Sequence, residues 1–325
     1  MTALVELRHV ERVFQVRRAN SFLGGSRPLR AVQDVSFAIG QGETVGLVGE
    51  SGCGKSTVGK LVLGLLAPSA GDVLFDGRAL SADVGSQSWR DRRRDMQMIF
   101  QNPFGALNPR LQIGRQMREV LDTHDLGEES GRDEAVKDLM RSVGLEPHML
   151  DRYPHQMSGG QLQRVVIARA LAVSPRFLVC DEAVAALDVS IQAQVVNLLQ
   201  DIQEERDLTY LFISHDLEIV RHVSDRIVVM YLGRIVETGA SEAVFDAPRH
   251  PYTRALIAAV PHPTPGQVKQ DVVLEGDVPS PLDPPSGCVF RTRCPYAQAA
   301  CAEAVPTLEP VGEDHSAACL RSTEI

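Results

Sequence analysis

Residues 49–57 read GESGCGKST, between an apolar run, TVGLVG at 44–49, and a helix-patterned stretch from Lys55 to Leu66. No other segment restricts the fold as tightly. A string G-x-x-x-x-G-K-[ST] that follows a strand and opens a helix lets successive backbone N–H groups curl round phosphate oxygens. The helix N-terminus adds positive potential there. In this loop Gly49, Ser51, Gly52, Cys53, Gly54 and Thr57 supply the backbone cradle, Lys55 is set to reach the β- and γ-phosphates, and the Ser56 hydroxyl is set to ligate Mg²⁺.

The rest of the chain alternates apolar strands with helical patterns, which indicates a parallel α/β core. Strands are expected over 3–14, 31–39, 44–49 and 96–100, with a hairpin or meander over 71–80 turning at Asp76-Gly77. Residues 112–150 are helical in pattern, with breaks near Gly127 and Gly144. The buried strands FLVCDE (177–182) and TYLFISHD flank the amphipathic helix VSIQAQVVNLLQDIQEER, and 225–239 reads as a hairpin turning at Gly233. Beyond about residue 262 proline becomes dense and periodicity fades, which suggests an extension with little regular structure.

Net charge is −9, which argues against a broad nucleic-acid-binding surface; the basic runs VRRANSFLGGSRP and RDRRRD read as solvated faces. The opening MTALVELRHVERVF has an early Glu and Arg and no apolar core of a signal peptide, and no stretch approaches the roughly 18–20 apolar residues of a membrane span. A soluble or peripheral protein is expected.

Asp181 follows four apolar residues, FLVC, as a Mg²⁺-organising carboxylate at a strand's C-terminal end must, and Glu182 next to it is a candidate general base for an attacking water. Ser158-Gly159-Gly160, within MSGGQ at 157–161, places small residues at a helix start, again an arrangement suited to an anion.

Taken in order, these strings resemble the ATP-binding subunits of ABC transporters. The resemblance implies an ABC-type P-loop core with an antiparallel β subdomain and a helical subdomain at about 110–165, together spanning 1–261. A Cys-containing, Pro-rich extension covers 262–325. It implies ATP and Mg²⁺ as ligands, and assigns Gln101 in MIFQNP to sensing Mg²⁺ and water and to linking with the membrane subunits. It also implies that Ser158, Gly159, Gly160 and Gln161 serve ATP held by a partner, that Asp188 lies in a loop crossing the dimer interface, and that His215 contacts the γ-phosphate. Phe14 falls where an aromatic ring stacks on adenine. Three departures are visible: Ala183 and Ala185 stand where the family usually has Pro and Ser, and Met157 replaces the commoner Leu or Phe. None removes a charged catalytic group.

HPYTRALIAAVP at 250–261, with YPHQMSGGQLQRVVIARALA and QNPFGALNPR, resembles the dipeptide/oligopeptide/nickel importer branch. That resemblance implies two permease subunits, an extracytoplasmic solute-binding protein and a second ATPase, and a peripheral place on the cytoplasmic face of the plasma membrane. The long loop between Phe14 and Phe37 resembles the second of two paired ATPases, implying a heterodimer. Alternatives are a soluble ABC ATPase acting in DNA repair or translation, and an importer of nickel chelates or glutathione-like solutes. Cys288, Cys294, Cys301 and Cys319, spaced C-x₅-C-x₆-C-x₁₇-C, suit a [4Fe–4S] cluster, with Zn²⁺ or unligated thiols as alternatives. Nothing in the sequence places these cysteines near the phosphates.

Overall fold

The structure, a computed structural model, describes residues 3–17, 26–80, 92–260, 276–322 and 324. Residues 18–25 of the basic loop, Arg90 and Asp91 of the second basic run and the expected boundary at 261/262 lie outside the described residues. Strands are β1 (Ala3–Arg17), β2 (Ser26–Gly40), β3 (Thr44–Val48), β4 (Ala70–Phe75), β5 (Arg78–Ala79) and β6 (Met96–Ile99). They continue with β7 (Phe177–Asp181), β8 (Thr209–Ser214), β9 (Arg226–Tyr231), β10 (Arg234–Ala240), β11 (Glu309–Gly312) and β12 (His315–Ala317). The helices used below are α1 (Lys55–Val62), α2 (Ile113–Thr123), α3 (Arg132–Ser142), α4 (Gly159–Leu171), α5 (Val189–Arg206), α6 (Leu217–Val223) and α7 (Pro251–Ala258). Among the described residues no helix is long and apolar enough to cross a membrane.

The chain divides into two compact units. One holds residues 82–213 with 40–43. Its sheet is parallel, β6–β7–β8, with Met96 opposite Phe177 and Phe177 opposite Thr209. Every residue of β7 and β8 is buried. Continuous apolar strands of this kind need cover on both faces, so they pair in parallel. The stretch expected to be helical forms α2 and α3, broken at Gly127 and Gly144, where φ is positive. The buried Arg132 guanidinium closes the α2–α3 turn, donating to the Leu126 and Gly127 carbonyls and to Asp122 and Asp125.

The other unit holds residues 3–39, 44–81 and 214–325. One sheet runs β2-β1-β4-β5, and Asp76 and Gly77, both at positive φ, turn the β4–β5 hairpin. Two left-handed residues give the turn whose twist matches antiparallel strands. The second sheet runs β11-β12-β10-β9-β3, with β3 parallel to β9 and the remaining pairs antiparallel. Helix α1 is shorter than the expected 55–66. Gly64 takes φ 61°, and the Leu65 and Leu66 N–H groups turn back onto the Lys60 carbonyl. That left-handed cap ends the helix. The C-terminal region also departs from expectation, because β12 adds to β10 and extends the sheet.

Phe290 anchors this region. Its ring is fully buried against Tyr231 (centroids 5.3 Å), Tyr252 (5.5 Å) and His250 (5.6 Å). Glu237, with no exposed surface, accepts from the Arg249 and His250 N–H groups at 2.6 and 2.9 Å and lies 2.7 Å from His315 Nε2. A buried carboxylate needs such partners to be tolerated. Burial pushes His250 down to about 4, so its imidazole is neutral and Nδ1 accepts from the Tyr252 N–H.

Candidate functional site

β3 delivers the chain into the glycine loop. Gly49 has φ 149°, and a Cβ there would lie 2.2 Å from the Met230 carbonyl oxygen and 2.9 Å from Cys53 Sγ, so only glycine fits. Gly54, at φ 110°, precedes α1 with no side chain to cap it, and a helix start of this kind suits an anion. Lys55 is buried, and its Nζ donates to the carbonyls of Gly49 (2.7 Å) and Glu50 (3.0 Å). Ser51, Gly52 and Ser56 are exposed, Thr57 is half-buried and Cys53 is buried, its thiol pushed up chiefly by burial.

In the other unit β7 ends on Asp181, which is buried, and Glu182 follows at φ 48°. A left-handed non-glycine residue is strained and persists only where its surroundings hold it. Here the Glu182 N–H donates to the Ile213 carbonyl at 2.9 Å, and the Ala185 N–H closes a turn onto the Glu182 carbonyl. Gln101 Nε2 donates to Glu182 Oε2 at 2.7 Å, so two residues 81 positions apart meet. Cys180, wholly enclosed before them, has a thiol pushed up to about 12 by burial and then by Asp181. Ala183, where the family usually has Pro, is buried. A groove of about 560 Å³ lies beside the Gln101 segment, lined by Phe100, Gly105, Glu119, His124 and Arg169. Phe100 and Phe104 are exposed at 44% and 54%.

Ser158 caps α4 in a reciprocal box: Gln161 N–H donates to Ser158 Oγ at 3.3 Å, and Ser158 N–H to Gln161 Oε1 at 3.1 Å. A Cβ at Gly160 would lie 2.5 Å from Ile191 Cγ2, so this glycine is required by the close approach of α4 to α5. Met157 fills a buried position. Asp188 caps α5, accepting from the Ser190 hydroxyl at 2.8 Å and the Ile191 N–H at 3.0 Å, bonds that hold its carboxyl below the usual range. His215 is exposed just after β8. Phe14 lies on β1 with the Arg12 guanidinium 4.7 Å over its ring.

Cys288, Cys294, Cys301 and Cys319 all line one small pocket, with Phe290 and Tyr296. Burial pushes the Cys288 thiol up to about 11 and raises Cys294 and Cys319, against the opposing pull of backbone N–H groups at Phe290, Tyr296 and Arg321. Among the described residues no group of three or more His, Cys, Asp or Glu side chains is arranged to hold a metal ion, so the four thiols share the pocket without forming a ready ligand set.

Sequence reasoning missed the residues around Glu50. Its N–H donates to Tyr252 Oη at 2.7 Å, and its carboxylate pairs with Arg293. HPYTRAL reads in sequence as a branch marker, yet its tyrosine touches the phosphate loop, and the cysteine-bearing segment reaches that loop too.

Residues 32–185 match the ABC transporter family, and residues 236–301 match the family described as oligopeptide/dipeptide transporter, C-terminal region. The chain therefore belongs to the ATP-binding subunits of ABC transporters, in the branch that carries this C-terminal region, and it is an ATP hydrolase of that family. It is 49% identical over 320 residues to a putative peptide import ATP-binding protein of Brucella ovis, covering 98% of each chain. It is 47% identical over 322 residues to the oligopeptide transport ATP-binding protein OppF of Haemophilus influenzae, covering 98% of this chain and 97% of the relative. Among solved structures it matches a dimeric post-hydrolysis state of the ATP-binding cassette MJ0796 bound to ADP and Pi. There the TM-score is 0.64 and the identity 28%, over 73% of this chain and 98% of that one. The branch sets aside a soluble ATPase of DNA repair or translation.

Proposed function

We propose that this chain hydrolyses ATP to drive the import of di- or oligopeptides through a pore made by two permease subunits, fed by an extracytoplasmic binding protein. The 2.7 Å contact between Gln101 and Glu182 carries the catalytic part of this reading. The loop N–H groups and Lys55 take the phosphates, while Ser56 and Asp181 hold Mg²⁺. Glu182, oriented by Gln101, accepts the proton of a water whose oxygen bonds the γ-phosphorus as the bond to ADP breaks. His215 steadies the γ-phosphate and Phe14 stacks on the base. The capped Ser158 start of α4 serves the nucleotide of a second, non-identical ATPase, with Asp188 at that interface. The groove beside Phe100 receives a permease segment, which places the chain peripherally on the cytoplasmic face. Peptide as cargo is supported by the names of the relatives and by the C-terminal region. Disrupting the gene is expected to abolish uptake of labelled di- and tripeptides. Intact peptide uptake with lost uptake of a nickel chelate or glutathione would overturn it.

The cysteine pocket is read as a [4Fe–4S] site held by Cys288, Cys294, Cys301 and Cys319. Its support is the sharing of one pocket by four thiols, one of which, Cys319, accepts from the Arg321 N–H at 3.4 Å. Bound there, a cluster would supply a covalent tie among four points of an irregular segment. Anaerobic purification is expected to give about four irons per chain with broad visible absorption; stoichiometric zinc without iron rules it out.

A further inference from the structure

Glu50 is the second residue of the phosphate-binding loop, and three of its groups are held. Arg293 Nη1 and Nη2 donate to Glu50 Oε2 and Oε1 at 2.8 and 3.1 Å, a two-point pair that fixes the plane of the carboxylate. Its N–H donates to Tyr252 Oη, and its carbonyl accepts from Lys55 Nζ. Arg293 is only 7% exposed in its side chain. Its own N–H donates to the carbonyl of the fully buried Phe290 at 3.0 Å, so the guanidinium is set by the packing of the cysteine-bearing segment.

A carboxylate in a loop built to receive a triphosphate opposes its ligand, since like charges repel at short range. Pairing with a guanidinium cancels that charge. It also stiffens a loop that is rich in glycine and otherwise loses much freedom on ordering.

We propose that Arg293 is a positioning residue for ATP: by holding Glu50 it neutralises and fixes the phosphate-binding loop, so the cysteine-bearing C-terminal segment sets the affinity of the chain for nucleotide. This rests on the reading that residues 49–57 hold the phosphates, and it adds a residue 243 positions away from Glu50.

The test is equilibrium titration of the full chain with a fluorescent ATP analogue and Mg²⁺, with steady-state ATPase of the assembled transporter. Arg293→Gln is expected to weaken binding by about tenfold, as loss of a two-point charged pair does. KM for ATP should rise in parallel and kcat should stay within about twofold. Adding Glu50→Gln removes the exposed carboxylate and is expected to restore affinity to within about threefold of the parent chain. Should Arg293→Gln fail to fold, Arg293→Lys keeps the charge without the fork and is expected to weaken binding by about threefold. Unchanged affinity in the folded Arg293 variant overturns the proposal, and so does a double variant as weak as Arg293→Gln alone. Lys55→Ala separates the two readings: undiminished ATP binding in that variant refutes the phosphate loop itself, whereas loss of binding leaves the Arg293 result to decide.

Discussion

Glu182→Gln in the assembled transporter is expected to lower ATP hydrolysis by about two to four orders of magnitude, the usual worth of a positioned general base. The amide keeps the shape of the side chain and can still accept the bond from Gln101 Nε2, now 2.7 Å from the carboxylate, so the loop should hold its form. What it loses is the ability to take a proton from water. Binding of ATP should survive, because the phosphate cradle lies on Gly49–Thr57. The variant should therefore bind ATP and fail to turn it over. A rate equal to that of the parent complex would remove Glu182 from the chemistry.

Phe290→Ala is expected to cost about 3–5 kcal/mol of stability, the range for truncating a buried aromatic. The ring is wholly enclosed and meets Tyr231, Tyr252 and His250. Its loss opens a void that three rigid neighbours cannot collapse into. Urea unfolding followed by circular dichroism measures this, and a midpoint within error of the parent chain would show that the rings repack. The same variant loosens the turn that carries Arg293, so it should also bind ATP less well.

Much of the nucleotide chemistry was legible because it is local. GESGCGKST carries its strand and its helix with it, and the Ser158–Gln161 box is written in four consecutive residues. FLVCD and TYLFIS read as buried strands, and both are buried throughout. What could not be read was tertiary. Nothing in the string MIFQNP says that Gln101 will donate to Glu182, and nothing in GESGC says that Glu50 will meet an arginine near the C-terminus. Gly160 reads as an anion-facing glycine, and its steric need, set by Ile191 on the next helix, is not written in the string beside it. The segment after 276 looked structureless because β11 and β12 are only four and three residues long, too short for any period to show.

Those two short strands bear on solubility. The outer rim of β10 carries backbone groups that, left bare, would recruit another chain's strand. β12 occupies that rim, with Glu237 opposite Ala317 and Gly239 opposite His315. The new boundary is β11, where Pro310 has no N–H to offer and the register breaks before Gly312. A cassette trimmed back to its ATPase core would expose a ready template for aggregation, and the natural chain ends that side in a strand too short and too irregular to be extended.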